Sequence, residues 1–146
     1  MALQTEDAGD WKPAAAFVAR DAAGRPYLAA RRCRACGIAG FVETLACPAC
    51  CARDGFDRVC ASDRGVLHSW SIVHRSYPGV AVPFVSAVVD LDDGLTLKGN
   101  LRGVAADPAA LAAGTCVRVV FDEALGRTDK DGSRYLSYFF EPAGDA

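Results

Sequence analysis

A basic charge excess is missing from this sequence: sixteen Lys and Arg face eighteen Asp and Glu, for a net charge of −2. A generic nucleic-acid binder needs a basic surface to displace counterions from phosphates, so the composition argues against that class. Long apolar runs are missing too, since no stretch approaches the roughly 18 apolar residues of a membrane helix. The first eleven residues hold Glu6, Asp7 and Asp10 and no apolar core, which excludes a signal peptide and predicts a cytoplasmic protein. Histidine is scarce, with His68 and His74 the only two. No low-complexity linker is present, and no internal repeat beyond a pair of short cysteine motifs. What remains is a globular composition, 51% hydrophobic over 146 residues, with 27 alanines that add little core volume. That length holds one or two small domains.

Cysteine is abundant instead. Six of the seven fall between positions 33 and 60, and in a reducing compartment such a cluster points to a metal before disulfides. The order is Cys33-Arg34-Ala35-Cys36-Gly37, ten residues, then Cys47-Pro48-Ala49-Cys50. Two thiolates three positions apart on a tight turn occupy two corners of a tetrahedron with bonds of about 2.3 Å. Gly37 permits the positive φ that closes one turn, and Pro48 fixes φ in the other. Two such knuckles fill four corners and leave none for water, the pattern of a structural site. Cys33, Cys36, Cys47 and Cys50 are therefore the expected ligands of zinc, with iron the rival because it accepts the same four thiolates. Cys51 is a spare thiol, and Cys60 and Cys116 are read as small apolar core residues. The segment 27–62 has few large apolar anchors, so metal binding must supply folding energy that its core lacks.

After Asp63 the pattern turns to period two. Val66, Trp70 and Ile72 mark one strand face; Val85, Ala87, Val89 and Leu91 mark a second; Leu95, Leu97 and Leu101 mark a third. Asp92-Asp93-Gly94 is a hairpin signal. Asp107 as cap, Pro108 at the first helical position and Gly114 at the end predict a short helix. Val117 to Phe121 and Tyr135 to Phe140 predict two more strands, joined by a charged, exposed loop over 126–133. Three strands, a helix and two strands is the order of a five-stranded OB-fold barrel. The chain thus reads as mainly β: an N-terminal helical arm (1–26), a rubredoxin-like zinc ribbon (27–62), an OB-fold (63–142) and a tail (143–146).

The run Gly24-Arg25-Pro26-Tyr27-Leu28 through CRACG, then CPAC, then GVLHSWSIVHR, PFVSAVVDLDDG, LKGNL and DPAALAAGTCVRVVF resembles the domain-of-unknown-function-thirty-five family over about 120 residues. Cys51 and the ending Phe139-Phe140-Glu141-Pro142 depart from its pattern. The resemblance implies a zinc ribbon joined to an OB-fold. It also implies an accessory subunit in a hetro-oligomer with a thiolase-fold partner, a thiolase or an aldolase, acting on acyl-CoA. Relatives serve 2-benzoylsuccinyl-CoA cleavage and steroid side-chain degradation.

No catalytic machinery of its own is expected in the chain. His68 and His74 fall on one face of the first barrel strand, and no Asp or Glu lies close in sequence to orient either. Binding of coenzyme A, shared with the partner, is a separate matter. Its phosphates want cations and its pantetheine arm a narrow groove. His74, Arg75 and Tyr77 at the end of one strand and Lys98, Asn100 and Arg102 on the polar face of another are the candidates. A plainly solvated sheet face is the competing reading of those six. The alternative function is an OB-fold and zinc-ribbon nucleic-acid-binding module, and a third is a purely structural adaptor.

Overall fold

The computed structural model describes residues 11–144. Ten strands hold half of these residues: β1 (Trp11–Pro13), β2 (Val18–Arg20), β3 (Pro26–Cys33), β4 (Ala39–Gly40), β5 (Phe56–Cys60), β6 (Arg64–Val73), β7 (Phe84–Leu91), β8 (Thr96–Leu101), β9 (Cys116–Thr128) and β10 (Arg134–Pro142). No helix among the described residues is long and apolar enough to cross a membrane.

Strands β6 to β10 close a five-stranded barrel in the order β10-β8-β7-β6-β9, with β9 returning to β10. The single parallel step is β8 on β10. That connectivity and the parallel third and fifth strands make the barrel an OB-fold. Alternation drives it: along β7 every second residue, from Val85 to Leu91, is buried. Leu97 and Leu101 of β8 and Leu95 just before it face the same core, joined by Leu67, Val117, Leu136 and Phe140. Closure depends on two missing side chains. A Cβ at Gly65 would lie 2.3 Å from the Asp90 carbonyl oxygen, and one at Gly99 would lie 2.8 Å from the Tyr138 ring. Strands pack this closely only where glycine stands.

A smaller antiparallel sheet carries the cysteine knuckles. In it β3 pairs with β2 and β4 on one side and β5 on the other. Phe17 joins this sheet to the barrel, its ring 5.2 Å from that of Phe41 and 5.4 Å from that of Tyr138.

Several expectations need correction. The helical arm is absent from residues 11–26, which form β1, β2 and the start of β3; residues 1–10 lie outside the described part. Alanine-rich propensity loses there to pairing. β1 runs parallel to β10, with Lys12 bound to Asp129 and Asp131 and Arg134 stacked 4.3 Å over Trp11. The helix expected at 107–114 is one 3₁₀ turn, Pro108–Ala110, capped by Asp107 as its sequence suggests but ended by Leu111 in extended conformation. Val66 does not share a face with Trp70. A bulge between Leu67 and Ser69 leaves His68 without a partner on β7 and reverses the alternation, so Leu67 is buried and Val66 exposed. β9 continues to Thr128, which shortens the expected 126–133 loop. Cys60 and Cys116 are exposed on their strands, not core residues.

Candidate metal centre and polar barrel faces

The two knuckles are built alike. Gly37 N–H donates to the Cys33 carbonyl at 2.8 Å, and Cys51 N–H donates to the Cys47 carbonyl at 2.9 Å. Cys33 N–H then meets Ile38 O at 2.9 Å, and Cys47 N–H meets Ala52 O at 2.8 Å. Each turn closes through a left-handed residue, Gly37 at φ 80° and Cys51 at φ 62°. Cys51 therefore occupies the backbone place of a glycine, a role its thiol does not explain.

Facing each other, the knuckles bring Cys33 Sγ within 3.7 Å of Cys50 Sγ and Cys36 Sγ within 3.6 Å of Cys47 Sγ. All four sulfurs lie within 4.8 Å of one another. Four thiolates bonded to one tetrahedral ion at about 2.3 Å would sit about 3.8 Å apart. The spacing fits that ion, and it is far from the ~2.05 Å of a disulfide. Cys33 and Cys47 are buried while Cys36 and Cys50 face outward. Backbone N–H groups of Cys50 and Ala49 aim at the Cys47 sulfur and hold its thiol down to about 6. At Cys50 the Ala52 N–H also favours the thiolate, but burial and the surrounding thiols outweigh it and push the group up to about 12. Crowded thiols without a cation cannot all ionise, and a divalent ion removes that conflict. Arg32 adds positive charge at the rim by donating to Gly37 O at 3.3 Å.

The six residues expected to meet coenzyme A are not gathered into one pocket. His74, Arg75 and Tyr77 lie just past the end of β6, all exposed. Lys98 is exposed and Asn100 half-buried on the outer side of β8. Because Ser71 and Asn100 both pair with Ser86 of β7, the end of β6 and Asn100 lie toward the same end of the barrel. Arg102 is committed elsewhere. It donates to Glu141 and Asp122, each at 2.9 Å, and stacks 4.7 Å over Phe139. It fastens the seam where β8 meets β10.

A polar constellation that short-range sequence reasoning missed lies on the opposite half of this face. His68 Nδ1 is 2.7 Å from Asp90 Oδ2, and Thr96 Oγ1 donates to Asp90 Oδ1 at 3.0 Å. The Thr96 hydroxyl, then the imidazole, hold the Asp90 carboxyl below its usual range. The carboxylate that orients His68 is 22 positions away, so only strand register could have found it. His74 lies one residue past the end of β6 and is exposed.

Residues 58–122 match the family model described as the ChsH2 C-terminal OB-fold domain. The chain is 31% identical over 120 residues to the benzoylsuccinyl-CoA thiolase subunit BbsA of Thauera aromatica, covering 79% of this chain and 76% of that subunit. It is 36% identical over 80 residues to the BbsA subunit of Geobacter metallireducens, covering 55% of this chain. That match spans about half of the Geobacter subunit, 53%. Among solved structures, the Ltp2-ChsH2(DUF35) aldolase superposes with a TM-score of 0.61 at 29% identity, covering 80% of this chain and 84% of that one.

Proposed function

Because the chain belongs to the DUF35 family, we propose that it is an accessory subunit of a thiolase or thiolase-fold aldolase complex acting on acyl-CoA thioesters. The observation that carries this reading is the likeness to the Thauera thiolase subunit, which extends over three quarters of that protein. The fold likeness to an aldolase complex supports the same role with a second partner type.

The chemistry of the chain agrees with an accessory role. Four thiolates around one ion leave no open position for substrate, so zinc at Cys33, Cys36, Cys47 and Cys50 has a structural task. Bound there, the ion would pin the two turns together and stabilise the 27–62 ribbon beside the 63–142 barrel. Lys98, Arg75, His74, Tyr77 and Asn100 are the residues through which the barrel end would touch coenzyme A in the assembled complex. Arg102 serves this surface by holding β8 in place. The acyl group, aromatic or steroid, would be chosen mainly by the partner.

Co-expression with a thiolase-fold enzyme of the same organism tests the role. A single co-eluting complex on size exclusion is expected, and two separate peaks would sink the subunit reading. Salt-sensitive binding to single-stranded DNA or RNA by the free chain would favour the nucleic-acid alternative.

A further inference from the structure

Seven large apolar side chains stand exposed among the described residues, and three of them, Ile38, Val42 and Leu45, fall within eight residues of the ribbon. Leu45 is 95% exposed and Val42 76%, so neither helps to fill the core. Scattered exposed apolar residues are ordinary, whereas a concentration in one short segment marks a contact surface. The backbone beneath them is fixed. Ile38 O accepts from Cys33 N–H at 2.9 Å, and Ala39–Gly40 pairs with β3. Phe41 is buried, with its ring 5.2 Å from that of Phe17, and Thr44 Oγ1 donates to Ala46 O at 2.6 Å. Two guanidinium groups bracket the segment. Arg32 donates to Gly37 O at 3.3 Å, and Arg31 donates to Thr44 O at 3.1 Å while lying 4.1 Å over the Phe56 ring. Neither arginine has an ion pair among the described residues. The nearby carboxylates are Asp57, held by Arg34 at 2.6 Å, and the exposed Glu43, which lines the groove beside β3 and β5.

We infer that Val42 and Leu45 are the anchors by which the ribbon docks on a thiolase-fold subunit, entering an apolar pocket with a carboxylate at its edge to meet Arg31. This contact rests on the accessory-subunit reading and deepens it by naming the surface that holds the partner. Aliphatic side chains on a braced turn surrender little freedom when a partner covers them, so their burial is returned as affinity. Arg31 supplies orientation. Its guanidinium is already held by a ring and a carbonyl, and a partner carboxylate completes it as an ion pair that fixes register. In the metal-loaded ribbon, thiolate charge offsets Arg32, which leaves Arg31 as the cation available to the partner. A two-fold contact of this surface with a second copy fits it less well. Such a contact sets two arginines from each copy against a single Glu43 from each.

Isothermal titration of the metal-loaded chain into a thiolase-fold enzyme of the same organism tests the contact. Leu45→Ser and Val42→Ser should each weaken binding about tenfold or more, the loss expected of interface anchors. Leu45→Met, which keeps the apolar volume, should bind as the wild type does. Leu125→Asn changes an exposed leucine of β9 to a residue that tolerates its positive φ, and it should leave binding unchanged. All four variants should keep their metal and the wild-type Tm, because the altered side chains lie outside the core. Added salt should weaken the wild-type complex, and weaken that of Arg31→Gln less. Unchanged affinity in both serine variants overturns the inference while leaving the accessory role intact, and so does an equal loss in Leu125→Asn. No binding by the wild-type chain overturns both readings. A Leu45-dependent dimer of the free chain in light scattering assigns the surface to a second copy and overturns the docking as well. Affinity insensitive to salt overturns the Arg31 ion pair.

Discussion

Replacing Cys51 by glycine should stabilise the protein without touching its metal. Cys51 holds φ 62° in the place where the first knuckle has Gly37 at φ 80°. A residue with a Cβ in that region costs about 1–2 kcal/mol. Glycine relieves this but loses about 0.5–1 kcal/mol more chain entropy on folding. The difference is a net gain of about 0.5–1 kcal/mol, or a rise in Tm of about 1–4 °C for a chain of this size. Thermal unfolding by circular dichroism, paired with elemental analysis, reads both quantities. The Cys51→Gly protein should keep about one metal ion per chain, the single-site stoichiometry of a four-thiolate centre. Cys50→Ser should lose it, since Cys50 Sγ sits 3.7 Å from Cys33 Sγ in the cluster. Loss of metal in Cys51→Gly with retention in Cys50→Ser would refute both the ligand choice and the reading of Cys51 as a backbone position.

Thiol titration of the metal-loaded protein should count three reactive cysteines, Cys51, Cys60 and Cys116, all exposed; chelation followed by denaturation should raise the count to all seven, and seven without chelation would refute the metal centre. Gly99→Ala should cost about 1–3 kcal/mol in urea unfolding through overpacking, because the added methyl meets the Tyr138 and Phe140 rings at 2.8 and 2.9 Å; an unchanged midpoint would contradict the close β8–β10 approach. Lys12 holds the carboxyls of Asp129 and Asp131 below their usual range through hydrogen bonds. Lowered folded values make this contribution complete above the ordinary carboxylate range and lost as pH falls below about 4. The Tm deficit of Lys12→Met should therefore be largest near neutrality and shrink in acid, and a deficit constant across that range would count against the contact.

What could be read from the sequence was what depends on short spacing. The knuckles repeat a three-residue step, and β7 and β8 alternate without interruption, so ligand candidates and barrel core followed from local pattern. Two features escaped because their causes are long-range. The bulge at His68 is an irregularity of pairing with β7, which no count of apolar residues along β6 reveals. The engagement of Arg102 rests on Asp122 and Glu141, 20 and 39 positions away, which no short-range pattern reveals. The expected arm failed for a related reason. The alanines of residues 11–20 favour helix, and strand partners in β10 and β3 override that preference.

Turnover of an acyl-CoA substrate by a thiolase-fold enzyme that co-purifies with this chain, measured with and without it, tests the accessory role most directly. The enzyme alone should be inactive or at least tenfold slower, with activity restored by adding the metal-loaded chain in equal amount. Full turnover by the enzyme alone, unchanged on adding the chain, would contradict that role.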